Sequence, residues 1–182
     1  MKYNIKTTLQ SIENGDHSDY LFFWGHQASK TGNTTKSCLS QWWSSKFKDE
    51  GRLYHTAEHY MMAQKAQLFE DIDIMDLIIS SSNPKEVKAL GRKVKNYNEE
   101  KWNENKCQIV LKGNILKFTQ NQALSKFLKS TGSSVIVEAS PVDRIWGVGM
   151  AEDNPKIFNP SNWKGPNLLG FALMEVRDII SQ

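Results

Sequence analysis

No stretch of this chain approaches the roughly eighteen consecutive apolar residues that a membrane-spanning helix needs, and nowhere do five Lys or Arg stand in a row. The first absence excludes a helical membrane span. The second leaves no polybasic arm for nucleic acid or an anionic lipid surface. Cysteine is scarce: Cys38 and Cys107 are the only two, far apart and at no metal-ligand spacing. They read as reduced thiols of an intracellular protein rather than a disulfide frame. The amino terminus, MKYNIKTTLQ, lacks the apolar core of a secretory signal, so a cytoplasmic location is expected. Internal repeats, a P-loop, a GxGxxG turn and a nucleophilic-serine elbow are missing as well. His55 and His59 are spaced like two ligands on a helix, but the HExxH order is absent, and His17 and His26 complete no pattern. Neither a metal nor another cofactor is expected.

What the chain does have is an ordinary globular balance over 182 residues, with 39% hydrophobic and 24% charged. That length suits one core and is short for two independent domains. Six Trp, eight Phe and five Tyr supply buried area and flat faces on which a planar ligand can stack. The formal charge of +3 suits an anionic small molecule as well as it suits nucleic acid, and equally a solvated surface with a slight excess of lysine.

Patterning predicts an α+β chain, mostly helical with a few short strands. Residues 1–19 are weakly patterned and read as a loose lead-in to a single domain over 20–182. Tyr20–Gly25 reads as a strand, residues 26–37 as a polar loop, and Leu39–Phe47 as extended or irregular. Asp49-Glu-Gly51 is a turn and Leu53-Tyr54 a short strand. Thr56 can cap a helix running to about Glu70, and a second helix spans Asp71 to about Ser80. Asn83-Pro84-Lys85-Glu86 predicts a helix start with a capping box, followed by Val87, Leu90, Val94 and Tyr97 on one buried face. Helix is expected again over Glu99–Phe118, with Trp102, Ile109 and Leu116 on a stripe, and over a shorter run ended by Gly132. Val135–Ala139 is the clearest strand. Residues 142–166 form a long loop of the kind that often carries function, and Asn167 to about Ile180 a final helix.

Three places could carry chemistry. Glu58 falls in the first turn of the helix capped by Thr56, on a face with Met61, Met62 and Lys65. Burial on that face raises a carboxyl pKa, whereas the helix dipole lowers it; the plain alternative is a surface carboxylate complementing the dipole. Asp143, in Asp143-Arg-Ile-Trp-Gly-Val-Gly149, follows a strand end and precedes glycines that let backbone approach a ligand. The alternative there is an Asp–Arg turn with Trp146 plugging the core. Trp102, amid charged neighbours, is either the anchor of an amphipathic helix or a stacking platform. Arg92, Lys93 and Lys117 are candidate phosphate binders.

Taken together these stretches resemble the NADAR (YbiA-like) family. The resemblance is carried by Phe22-Phe-Trp24, Leu39-Ser-Gln-Trp-Trp43, Tyr54-His-Thr-Ala-Glu-His-Tyr-Met-Met-Ala-Gln-Lys-Ala66 and Lys88-Ala-Leu-Gly-Arg92. It continues in order through Gly113-Asn-Ile-Leu-Lys-Phe118, Val137-Glu-Ala-Ser-Pro-Val-Asp-Arg-Ile-Trp-Gly147 and Trp163-Lys-Gly-Pro-Asn-Leu-Leu-Gly170. It implies an N-glycosidase acting on a phosphoribosyl or ADP-ribosyl small molecule. The candidate substrates are riboflavin-pathway phosphoribosylamino-pyrimidines or, for other members, ADP-ribosylated guanine in nucleic acid; a non-hydrolysing ADP-ribose-binding module is the alternative. It places the catalytic roles on Glu58, Trp102 and Asp143, and substrate contacts on Phe22, Trp24, Ser40, Tyr60, Lys65, Arg92, Lys117, Trp146, Gly147 and Asn167. Where the family pattern leads one to expect an Arg just beyond the tryptophan, this chain has Lys106, a point charge in place of a bidentate fork.

Overall fold

A computed structural model of the chain describes residues 1–15 and 19–182; His17 lies outside them. Contacts gather into two compact units, one formed by residues 1–40 and 123–182 and the other by residues 41–122. The architecture is α+β and mostly helical, with seven α-helices and four short strands among the described residues.

The unit of residues 41–122 starts with a hairpin. Strands β2 (Phe47–Asp49) and β3 (Arg52–Tyr54) pair antiparallel. The turn between them places Glu50 at φ 48° and Gly51 at φ 79°, the double left-handed geometry that two-residue hairpin loops require. Helix α2 (Ala57–Leu68) follows, capped by the Thr56 side chain, which accepts from the His59 N–H. Almost all of its first two turns is buried, because α2 packs against α3 (Ile72–Ser80), α4 (Pro84–Gly91) and α5 (Glu99–Thr119). Asp71 caps α3 through Oδ1 and accepts the Lys95 N–H on Oδ2 at 2.8 Å, which ties the start of α3 to the chain beyond α4.

Two local expectations are corrected in this unit. Asn83 caps α4 as the sequence predicts, but Glu86 accepts from the Ser81 hydroxyl at 2.6 Å and so closes no capping box. The helix then ends at Gly91, so Tyr97 is off the expected face and 46% exposed. Gly91 sits against the Met62 thioether where no Cβ would fit, and its carbonyl accepts from the Lys65 ammonium at 2.8 Å. A lysine at a helix C-terminus satisfies an orphan carbonyl and the negative end of the dipole.

In the other unit, β1 (Tyr20–Phe23) pairs parallel with β4 (Val135–Glu138), Phe22 opposite Val137. Residues 5–13, expected as part of a loose lead-in, form helix α1 (Ile5–Glu13) instead. Asn4 and Thr7 close a reciprocal capping box at its start, a signal built from Asn and Thr rather than the Ser/Thr-to-Glu spacing. Helix α6 (Gln122–Ser130) precedes the turn at Gly132, which takes φ 56° as a helix-ending glycine should. The long loop contains two 3-10 turns, Pro155–Phe158 and Pro160–Asn162. Helix α7 (Leu168–Ser181) closes the chain and packs along β4. No helix is long and apolar enough to cross a membrane among the described residues.

Candidate active site

In the unit of residues 41–122, the polar interior gathers at the start of α2 and the middle of α5. Glu58 stands in the first turn of α2 and is 3% exposed, so the surface-carboxylate alternative does not hold. Its N–H donates to the Gln41 carbonyl at 2.9 Å. The Gln41 side chain is held in turn: its Oε1 accepts from Asn114 Nδ2 at 2.9 Å, and the same Nδ2 donates to the Val110 carbonyl. Gln41 and Asn114 are both buried, and the hydrogen bond from Asn114 to Gln41 offsets part of the cost of burying two amides. Asn114 Oδ1 is buried as well, with no hydrogen-bond partner among the described residues.

Lys117, expected to meet a phosphate, is fully buried. It lies one turn beyond Asn114 on α5, and its ammonium is 5.1 Å from the Phe118 ring centre. The buried residues of α5 are Val110, Leu111, Gly113, Asn114, Lys117 and Phe118, with the expected stripe of Trp102, Ile109 and Leu116 only half-buried. A hydrophobic pattern could not place this set, because two of its members are polar. Gly113 belongs to it for steric reasons, since a Cβ there would come within 2.6 Å of the Tyr60 ring.

Trp102 lies in the first turn of α5, its N–H bonded to the Asn98 carbonyl. The Lys65 ammonium sits 4.3 Å from the Tyr97 ring centre and 5.6 Å from that of Trp102, within cation–π range of both. Burial pulls the Lys65 pKa below its ordinary value. Arg92, just past the end of α4, is exposed. Lys106 donates to Asn103 Oδ1 at 2.6 Å along its own helix.

Tyr60 is 1% exposed and its hydroxyl donates to Asp49 Oδ2 at 3.0 Å, the carboxylate that also pairs with Lys112 at 2.8 Å. Burial, and then the Asp49 carboxylate, push this phenol's pKa upward. The hydroxyl is thus engaged in tying the hairpin to α2. His59 is equally committed. Its Nε2–H donates to the Ser81 carbonyl at 3.1 Å, and its Nδ1 meets the Thr56 hydroxyl at 2.8 Å. Because a carbonyl only accepts, the neutral Nε2–H tautomer follows from the network. Burial lowers its pKa from the usual 6.5 to about 4.

In the other unit, Asp143 turns the chain after β4. Its Oδ1 accepts from the N–H groups of Ile145 at 2.9 Å and Trp146 at 2.8 Å, and its own N–H donates to Ser140 Oγ. The carboxylate is half-buried, with Oδ1 engaged by the backbone. Trp146 is half-buried and Gly147 buried. A Cβ on Gly147 would lie 2.7 Å from the Glu138 carbonyl, so only glycine lets the loop lie along β4. Asn167, expected among the substrate contacts, is fully buried with φ 56° and ψ 38°. Its Nδ2 donates to the Ile136 carbonyl and its Oδ1 accepts the Glu138 N–H. That amide completes the hydrogen-bond ladder on the free edge of β4. Phe22 is buried, stacked on Tyr20 at 5.7 Å and edge-on to Phe158 at 5.2 Å, while Trp24 is 57% exposed. Ser40 is half-buried, its N–H closing a 3-10 turn on Ser37.

No cluster of three or more His, Cys, Asp or Glu able to hold a metal ion occurs among the described residues. Gln41 and Asn114 are the members that sequence reasoning had not singled out. The available signal was weak: a lone amide inside an aromatic run, and another one turn before Lys117.

The NADAR domain model matches residues 22–181. The chain is 42% identical over 164 residues to an N-glycosidase of Acanthamoeba polyphaga mimivirus, spanning 87% of this chain and 95% of that protein. It is 31% identical over 131 residues to the N-glycosidase YbiA of Escherichia coli strain K12, spanning 72% and 73% of the two chains. The solution structure of the E. coli YbiA protein superposes with a TM-score of 0.71 at 27% identity, covering 91% of this chain and 88% of that one. The chain therefore belongs to the NADAR family and is a hydrolase of the N-glycosidase class.

Proposed function

We propose that this enzyme hydrolyses the C1–N bond between a phosphorylated ribose and a planar nitrogenous base, with Glu58 as the central carboxylate. The observation that carries the reading is a carboxylate only 3% exposed, at a helix start whose N–H donates to the backbone carbonyl of Gln41, a buried residue whose side chain accepts from Asn114. Burying a carboxylate is costly unless pairing or hydrogen bonds offset the loss of water, and functional sites are where such groups collect.

Breaking the C1–N bond leaves the electron pair on the departing nitrogen and positive charge on the sugar. A carboxylate beside C1 stabilises that charge and orients the water whose oxygen forms the new C1–O bond. One water proton is lost to a base, and one proton is delivered to the leaving nitrogen. Glu58 takes the ribose side and Trp102 stacks on the base; for Asp143, in the other unit, the family resemblance implies the role of second acid–base group or sugar-hydroxyl ligand. Arg92, exposed at the end of α4, meets the phosphate.

The physiological substrate in this reading is a riboflavin-pathway phosphoribosylamino-pyrimidine, with ADP-ribosylated guanine as the second candidate. Each joins ribose, phosphate and a flat base. The test is a side-by-side turnover assay on both, wild type against Glu58→Gln, following free base by chromatography. Loss of turnover in a folded variant is expected, and full activity in that variant overturns the assignment.

A further inference from the structure

Lys65 is set among aromatic rings rather than facing an open anion site. Its ammonium donates to the Gly91 carbonyl at 2.8 Å and lies 4.3 Å from the Tyr97 ring centre and 5.6 Å from that of Trp102. All three partners are backbone or ring. Their segments are the end of α4, the link after it and the start of α5, and the Lys65 side chain reaches all three. Gly91 makes the approach possible, since a Cβ there would collide with Met62 of α2.

We infer that Lys65 determines which bases the enzyme accepts: its ammonium, held against one side of the Tyr97–Trp102 pair, favours a neutral, electron-rich heterocycle on the other side of the indole and disfavours a cationic, pyridinium-type base. The inference rests on Trp102 being the platform on which the base stacks. A cation on one face of an aromatic ring draws its π density toward that face. The opposite face then offers less to a second cation and more to an electron-rich ring. Like charges separated by one indole lie roughly 9 Å apart, close enough to repel at a half-buried site where screening is weak. Tyr97 is 46% exposed and Trp102 half-buried, so both rings keep surface for a ligand after Lys65 is in place. Position alone would make Lys65 a phosphate ligand; its contacts make it a specificity-determining residue.

The test uses the full-length protein as wild type, Lys65→Met, Lys65→Gln and Lys65→Arg. Each is given a neutral aminopyrimidine riboside 5′-phosphate, the same riboside without phosphate, and nicotinamide mononucleotide as the pyridinium riboside 5′-phosphate. Where the pyridinium compound is not turned over, its inhibition constant against the neutral substrate is measured. Lys65→Met and Lys65→Gln are expected to shift the preference about tenfold toward the pyridinium compound, through KM rather than kcat. Lys65→Arg, which keeps a charge able to stack, should retain the wild-type preference. An unchanged preference in both neutral variants overturns the proposal. So does a loss confined to the phosphorylated compounds, which would make Lys65 a phosphate ligand. If folded wild-type enzyme cleaves no riboside, the hydrolytic reading fails separately, and binding of the same compounds to wild type and Lys65→Met still reads the preference.

Discussion

Asn114 donates its side-chain amide to Gln41 Oε1 at 2.9 Å, joining the middle of α5 to the residue whose carbonyl receives the Glu58 N–H. The backbone at Glu58 is therefore tied, through Gln41, to a residue of α5 distant in sequence. Substituting Asn114→Leu keeps the volume but leaves Gln41 Oε1 without its donor. A loss of about 1–3 kcal/mol in urea unfolding is expected, with kcat reduced at least about tenfold and KM little changed. A kcat equal to wild type would show that the amide pair does not position Glu58.

Asp143 combines a structural and a chemical capacity that substitution can separate. Asparagine at 143 keeps an oxygen for the Ile145 and Trp146 N–H groups but carries no charge and cannot act as acid or base. Asp143→Asn should leave the melting temperature almost unchanged and lower kcat by roughly 10²-fold or more. Asp143→Ala should lose the turn as well and melt lower. Equal activity in wild type and Asp143→Asn would remove Asp143 from the chemistry.

His59 makes stability depend on pH. Its folded pKa, about 4, lies below the ordinary 6.5, so the folded state binds fewer protons than the unfolded one between those values. The contribution is complete above pH 6.5, falls as pH drops toward 4 and changes no further below that. The expected slope from this one site is about 1.4 kcal/mol per pH unit. Denaturant midpoints measured across the window should fall for wild type and flatten in His59→Gln; parallel curves would assign the acid sensitivity to other groups.

Two glycines report on close packing. In Gly113→Ala the new Cβ lies 2.6 Å from a Tyr60 ring carbon, and in Gly170→Ala it meets the Ile136 carbonyl of β4. Alanine is the better helix former by about 1 kcal/mol, so a gain in stability is the expectation from propensity alone. Overpacking opposes it with roughly 1–3 kcal/mol and wins at both sites. The larger loss is expected for Gly170→Ala, because a backbone carbonyl cannot swing aside as a ring can. Calorimetric melting of both variants checks the sign and the order.

Much of this molecule could be read from local chemistry. Thr56, Asp71 and Asn83 announce three helix starts, Gly132 a helix end, and Glu50-Gly51 a hairpin, because caps and turns depend on residues within a few positions of one another. The placement of Glu58 in the first turn of α2 was legible for the same reason. Its burial was not, since its N–H is bonded by the carbonyl of residue 41, whose side chain is held in turn by residue 114. Tyr60, Asn167 and Lys65 sharpen the point. Motif position groups them as substrate contacts, yet the Tyr60 hydroxyl goes to Asp49, the Asn167 amide to the edge of β4, and the Lys65 ammonium to Gly91 and two rings. The sequence by itself determined where several helices begin and where the hairpin turns, and which residue types are on hand for glycoside chemistry. Only the tertiary structure decided which of those side chains are engaged in holding the fold, because a donor's partner is set by what packs against it rather than by what precedes it.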